Sequence, residues 1–299
     1  VHCAFGATSI IGTIFEYALA TIAVDTGPIR GKPGEITFKD LGIIIGIGEL
    51  DTVAGKTWFN FRHSRRAYAY SLAMANQQKV AVIGAGVMGE ALIAALIRAG
   101  VAPASIAIVE KRLERATELI TRYGITQSAL DDAVSTSDVI LLVVKPQDMQ
   151  ATLQELSPHI SIDCLVISFA AGKTIASISA GLGKTNPVVR VMPNTPALVG
   201  KGASGYSLGS GVTSAHRDFV AHFLAATGAA IEVPESLQDT VTATSGSGPA
   251  YFFAFVEAMV EGAVALGLSQ EDATTLTIQT IVGAAALLET SGDSPTTLR

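Results

Sequence analysis

From residue 79 onward, short apolar runs alternate with stretches of helical apolar spacing, and this alternation constrains the fold more than any other feature. Residues 79–83, 105–109, 138–144, 165–169 and 188–192 read as strands. Residues 90–99, 113–123, 147–156 and 175–180 read as the helices between them, the first two ending at Gly100 and Gly124. The run 138–144 is almost unbroken in its apolarity, as a strand covered on both faces requires. Such a repeat predicts an α/β chain: a parallel sheet with crossover helices. Past about Pro234 the strand signals stop. Residues 249–266 and 271–289 predict two long helices. Pro249 sits early in the first, where a missing N–H costs little. Ser269 and Asp272 predict a capping box on the second. Both helices are apolar around much of their circumference, so they need cover from a partner chain as well as from their own domain.

Of the 299 residues 49% are apolar and 15% charged, enough to build a core. A formal net charge of -6 argues against nucleic-acid binding, which needs a basic surface to neutralise phosphates. Cys3 and Cys164 form no disulfide framework, which fits a reducing cytoplasm, and Cys164-Leu165-Val166-Ile167 reads as a strand with a buried thiol. His216 and His222 lie off helical ligand spacing, and no paired-cysteine or HExxH pattern accompanies them, so no metal site is expected.

Residues 1–78 read as an N-terminal extension of unknown role. Residues 3–24 are mostly apolar, but no basic segment precedes them and Glu16 falls in their middle, so no membrane span is expected. Gly46-Ile47-Gly48 lacks a third glycine and a following helix. Met74-Ala75-Asn76-Gln77-Gln78-Lys79 has the look of an ordinary protein start.

The chemistry begins at Gly84-Ala85-Gly86-Val87-Met88-Gly89, between a strand ending at Ile83 and a helix. In that context the pattern is a dinucleotide fingerprint. Its first glycine allows a tight turn, its second lets backbone approach a pyrophosphate, and its third lets helix and strand pack closely. The next strand ends in Glu110-Lys111-Arg112, where the adenosine ribose should lie. Glu110 favours a free 2′-hydroxyl and hence NAD; Lys111 and Arg112 suit a 2′-phosphate, and the balance leans to NADP with NAD as a second option. Val143-Val144-Lys145-Pro146, Phe169-Ala170-Ala171-Gly172 and Met192-Pro193-Asn194 end three further strands, at the edge where open α/β sheets bind ligands. Finally, Ser245-Gly246-Ser247-Gly248-Pro249 precedes a long helix. It reads either as a donor-rich anion site or as a plain linker.

These segments resemble the pyrroline-5-carboxylate reductases. The resemblance is carried by Ile83 to Gly89, Val143 to Pro146, Val191 to Asn194 with Thr195-Pro196-Ala197, and the run DTVTATSGSGPAY at 239–251; it covers 79–299. It implies a Rossmann-type parallel sheet in a dinucleotide-binding domain at 79–235. An all-helical dimerisation and substrate domain would follow at 236–299, giving homodimers or larger homo-oligomers. It implies NADP- or NAD-dependent reduction of the C=N bond of 1-pyrroline-5-carboxylate to L-proline. Cofactor contacts would come from Ile83 to Met88, Glu110 to Arg112, Val143 to Pro146 and Phe169 to Ala171. Met192, Pro193 and Asn194 would lie near the nicotinamide, and Ser245 to Pro249 near the substrate. A protonated imine is already electrophilic, so alignment and exclusion of water matter more than a general base, and no catalytic side chain is assigned. Ser294 to Arg299 resembles the stretch just before the family's substrate-carboxylate loop. The expectation is therefore an incomplete helical domain that binds NADPH but reduces the imine poorly. Two other readings are a 3-hydroxyacid dehydrogenase relative and an inactive cofactor-binding protein. The former generally needs a lysine in the C-terminal helices, and the last lysines here are Lys184 and Lys201.

Overall fold

A computed structural model describes residues 49–53, 56–60 and 78–299. The extension as a whole, the apolar run 3–24, Cys3 and the segment Gly46-Ile47-Gly48 lie outside the described residues. Within the first compact unit, β1 (Glu49–Val53) pairs antiparallel with β2 (Lys56–Asn60), Glu49 opposite Asn60.

The second unit, Gln78–Arg299, contains an eight-stranded sheet. Its strands are β3 (Val80–Ile83), β4 (Ile106–Val109), β5 (Thr126–Gln127), β6 (Val139–Leu142), β7 (Leu165–Ser168), β8 (Val188–Met192), β9 (Gly202–Leu208) and β10 (Gly228–Glu232). The order across the sheet is β5-β4-β3-β6-β7-β8-β9-β10. From β5 to β8 every pairing is parallel. The chain winds outward from β3 to β5, then crosses back to β6 on the other side of β3. That reversal opens a crevice at the carboxyl ends of β3 and β6, as in a doubly wound dinucleotide fold.

The helices that follow are α1 (Val87–Arg98), α2 (Leu113–Tyr123), α3 (Leu130–Thr136), α4 (Met149–Leu156), α5 (Ile175–Leu182), α6 (Ser214–Ala225), α7 (Gly248–Ala265) and α8 (Gln270–Ser291). β3, β6 and β7 are buried at every position. Their β-branched and leucine side chains are covered on both faces, and on one face Ile140 and Leu142 join Leu153, Leu156, Ile178 and Leu182 from α4 and α5. On α6, Phe223 is fully buried; it stacks on Phe219 and meets Phe169 edge to face at 6.3 Å. A strand-end residue predicted to face the cofactor is thus braced from behind by the core.

The structure departs from the sequence reading in four places. The expected parallel sheet is present, with one antiparallel pairing: β9 runs antiparallel to β8, because residues 193–201 are too short a link for a crossover helix. β9, β10 and the two-residue β5 were not read as strands at all. β9 is small and polar (GASGYSL) and β10 is mostly exposed, so neither shows a strong hydrophobic period. The segment before α7, read as an anion site or a plain linker, is helical. A helical turn at Gln238–Val241 runs into a π-helical stretch at Thr242–Gly246, and the Ser247 N–H already donates to the Thr242 carbonyl at 2.8 Å. The Ser269 cap is also half of what was expected. Its hydroxyl oxygen accepts from the Asp272 N–H at 3.0 Å, while Asp272 takes the Ser269 hydroxyl proton rather than the cap's backbone N–H. Among the described residues no helix is long and apolar enough to cross a membrane.

Replacing Phe223 by Ala should cost about 3–5 kcal/mol, from lost burial plus a cavity that rigid strands cannot close. Urea denaturation measures this, and a loss below about 1 kcal/mol would contradict the packing described.

Candidate cofactor and substrate site

The turn after β3 is held by close packing. Gly84 has φ +94°, and its N–H donates to the Val109 carbonyl at 3.0 Å. A Cβ on Gly84 would sit 2.6 Å from the Val143 oxygen at the end of β6, and one on Gly89 would strike the Gly84 oxygen. Gly86 differs: the nearest atom to a Cβ there is Arg112 Nη2 at 4.0 Å, so the space above it is open. Gly86 is also the N-cap of α1 and offers no side chain to its first-turn N–H groups. Two tight glycines and one open one, at a helix start without a side-chain cap, fit a dinucleotide pyrophosphate. Ile83 and Ala85 are buried beneath the turn, whereas Val87 is exposed at its rim.

Glu110 faces this turn from the end of β4. Its Oε2 accepts the Ala85 N–H at 3.1 Å, and its Oε1 accepts the Arg112 N–H at 2.9 Å and Nε at 3.0 Å. Arg112 Nη2 adds a bond to Oε2 at 3.2 Å. The Arg112 side-chain bonds, against the opposing effect of burial and helped by the two backbone N–H groups, hold the Glu110 carboxyl at about 2. Glu110 is therefore ionised and its oxygens are occupied within the protein. Arg112 is largely exposed, as is Lys111.

The other strand ends lie along the same edge. Val143 and Val144 are half-buried beside Gly84, with Lys145 and Pro146 exposed beyond them. Phe169 and Ala170 are buried and Ala171 is exposed. At the end of β8, Met192 is half-buried and Pro193 and Asn194 are buried. β3 and β8 are separated by three strand spacings, about 14 Å at about 4.8 Å each.

Asn194 connects this edge to the helical segment. Its Oδ1 accepts the Ala203 N–H at 2.9 Å, and its Nδ2 donates to the Ser245 carbonyl at 3.1 Å. Met192 packs so closely on Gly246 that a Cβ there would lie 2.6 Å from the Met192 Cε. The sequence-predicted nicotinamide end and substrate end therefore touch. Beside Ser245, an apolar cavity of about 450 Å³ opens between β9, β10 and the 237–245 helical segment.

Sequence reasoning missed a second link. Arg190, in the middle of β8 and buried, pairs with Glu235 at 3.4 Å and Asp239 at 3.6 Å. Glu235 also accepts the Ile175 N–H at the start of α5 at 2.7 Å. A charge inside the apolar run VVRVM was the available signal, because a buried charge needs a partner. The other polar candidates have structural settings. Burial, with Asp138 adding to it, pushes the Cys164 thiol up to about 12, which leaves it protonated and unreactive. His216 completes a capping box with Thr213, and His222 Nε2 lies 3.1 Å from the Ala99 carbonyl. Among the described residues no cluster of His, Cys, Asp or Glu is placed to hold a metal ion.

The second unit is similar to known proteins. The family model for pyrroline-5-carboxylate reductase dimerisation matches residues 235–299, and that for NADP oxidoreductase, coenzyme F420-dependent, matches 79–172. Pyrroline-5-carboxylate reductase of Pseudomonas aeruginosa is 42% identical over 223 residues, covering 74% of this chain and 82% of that protein. That of Arabidopsis thaliana is 37% identical over 224 residues, covering 74% and 80%. Among solved structures, the Coxiella burnetii reductase superposes with a TM-score of 0.70 at 34% identity, covering 75% of this chain and 84% of that one. The Plasmodium falciparum enzyme, solved with NADP bound, gives 0.68 at 29% identity, covering 75% and 83%. On its sheet topology, its joined site segments and these relatives, the chain belongs to the pyrroline-5-carboxylate reductase family.

Proposed function

We propose that this chain reduces 1-pyrroline-5-carboxylate to L-proline with NADPH, the last step of proline biosynthesis. The observation that carries the reading is the junction at Asn194, which ties the end of β8 to Ser245 on the same sheet edge as the fingerprint turn. The pyrophosphate would lie over Gly84 to Gly89, and the adenosine ribose near Glu110, Lys111 and Arg112. Val143 to Pro146 and Phe169 to Ala171 would line the path between. Met192 to Asn194 would flank the nicotinamide, which supplies a hydride when bound. Ser245, Gly246, Ser247, Gly248 and Pro249 would hold the carboxylate end of the substrate.

The protein's contribution is positional. An iminium carbon needs no further activation, so the site must bring it to one distance and angle and keep water away. Met192 against Gly246 and Asn194 against Ser245 fix that distance from the protein side. NADPH is preferred over NADH because the Glu110 carboxylate is already taken by Arg112 and by the Ala85 N–H. It has little capacity left for ribose hydroxyls, while the exposed Arg112, still paired through Nε and Nη2, would keep Nη1 for a 2′-phosphate.

The C-terminal helices would form the homodimer contact. Tyr251, Phe252, Phe253, Phe255, Ile278 and Val282 are each at least half exposed on α7 and α8, a large apolar surface that water disfavours. The reading puts the enzyme in the cytoplasm, in keeping with a free, buried Cys164.

Cofactor oxidation that requires pyrroline-5-carboxylate and yields proline tests the assignment; a chain that binds no NADPH would overturn it. The fingerprint glycines should separate binding from folding. Gly86→Val should weaken NADPH binding more than about tenfold, with the melting temperature within about 2–4 °C of the parent. Gly84→Ala should instead cost about 1–3 kcal/mol of stability, because its Cβ has no room. Equal behaviour of the two variants in calorimetry would refute the placement of the turn. Glu110 sets a pH dependence. Its folded value lies near 2 against an ordinary value of 4.5, so its contribution is complete above about 4.5 and is lost as pH falls toward 2. The stability gap between parent and Glu110→Gln should be widest near neutrality and close across that window; a gap that widens in acid contradicts the pairing.

A further inference from the structure

We propose that Arg115, in the first turn of α2, is a positioning residue that holds the fingerprint turn at the height where a pyrophosphate meets α1. The proposal rests on the reductase reading above. In the sequence Arg115 looks like an ordinary surface charge, three residues before Glu118. In the structure its side chain is only 17% exposed and its guanidinium spreads three ways. Nε donates to the Ala85 carbonyl at 3.2 Å, Nη1 to Glu118 Oε2 at 2.7 Å, and Nη2 to the Glu90 carboxylate.

Ala85 is the second residue of the turn, and both of its backbone polar groups are held by side chains. Its N–H donates to Glu110 and its carbonyl accepts from Arg115. On its N-terminal side, Gly84 is jammed against the Val143 carbonyl. The turn is therefore gripped by a carboxylate, a guanidinium and a neighbouring strand, and the open backbone at Gly86 is presented at one height. Glu90 extends the grip to α1, since it sits in that helix's first turn.

Glu90 also explains why the grip must be cationic. A carboxylate one turn into α1 opposes an anion bound at the helix start. Burial pushes the Glu90 carboxyl up, but bonds from Arg115, Tyr123 and Arg122 outweigh it and keep the group ionised. Arg115 and Arg122 neutralise that charge in place, and Arg115 alone also reaches the turn. A lysine has one point of charge and no planar fork, so it cannot serve Ala85, Glu90 and Glu118 together.

A purely structural role, stapling α2 to α1, predicts lost stability with cofactor affinity intact. The test titrates the purified full chain with NADPH and with 2′-phospho-ADP-ribose, which lacks the nicotinamide. Parent, Arg115→Gln, Arg115→Lys and Glu118→Gln are compared below the melting temperature of each. Both Arg115 variants should bind both ligands about tenfold more weakly, with lysine giving no rescue. Glu118→Gln, which removes an ion pair of Arg115 but leaves the turn untouched, should stay within about twofold. In turnover, the Arg115 variants should raise KM for NADPH while kcat at saturation changes less than about twofold. Arg115 variants that bind within about twofold of a binding-competent parent would overturn this role alone. A parent that binds neither ligand would overturn the reductase reading itself.

Discussion

The amide of Asn194 joins the strand-borne half of the candidate site to the helix-borne half. Its oxygen takes a backbone N–H from β9, which fixes the side chain, and its nitrogen then reaches the Ser245 carbonyl. Because the group is buried, each of these bonds would be costly to leave unmade. The end of β8 and the π-helical segment therefore have one relative position. Met192 packing on Gly246 reinforces it, and the buried Arg190 repeats the connection a few residues earlier through Glu235 and Asp239. A reaction that depends on alignment rather than on a tuned base requires a junction of this kind.

The candidate cofactor end, the fingerprint turn, is built on the same logic with different materials. Side chains are few at the fingerprint turn, so backbone proximity does the positioning: Gly84 against Val143, Gly89 against Gly84. Charged groups then surround the turn without filling it. Glu110, Arg112, Arg115 and Glu90 satisfy one another and the Ala85 backbone, and leave Gly86 open. An anion arriving there meets α1 N–H groups with no competing side-chain cap.

The π-helical stretch at Thr242–Gly246 shows how a motif can be recognised and its conformation still misjudged. Ser and Gly favour loops, and the segment reads in the sequence as a donor-rich anion site or a plain linker. The flanking residues decided otherwise. Gln238 is fully buried and donates to Ser207, and Val241 packs over Gly205, so the helix starts early and the serines are drawn into it. The stretch closes with an i→i+5 bond, a common device at functional sites.

Several features were legible in the sequence because they depend on local periodicity. The central strands β3, β6 and β7 are continuous apolar runs, the fingerprint lies between a strand and a helix, and the long C-terminal helices announce themselves by length. The strand-end segments could be placed on one edge because parallel strands point the same way. β9 and β10 were hidden, since their small and polar residues depend on neighbours rather than on their own hydrophobicity. The ion pairs of Arg115 and Arg190 were hidden for a related reason. Glu90 lies 25 residues from Arg115 and Glu235 lies 45 from Arg190, and no spacing rule reports such contacts. The sequence alone determined the central strands, the fingerprint turn and the long helices, through short-range patterns of hydrophobicity and glycine. Tertiary structure decided which side chains meet, because burial and charge pairing act across distances in the chain that local pattern does not encode.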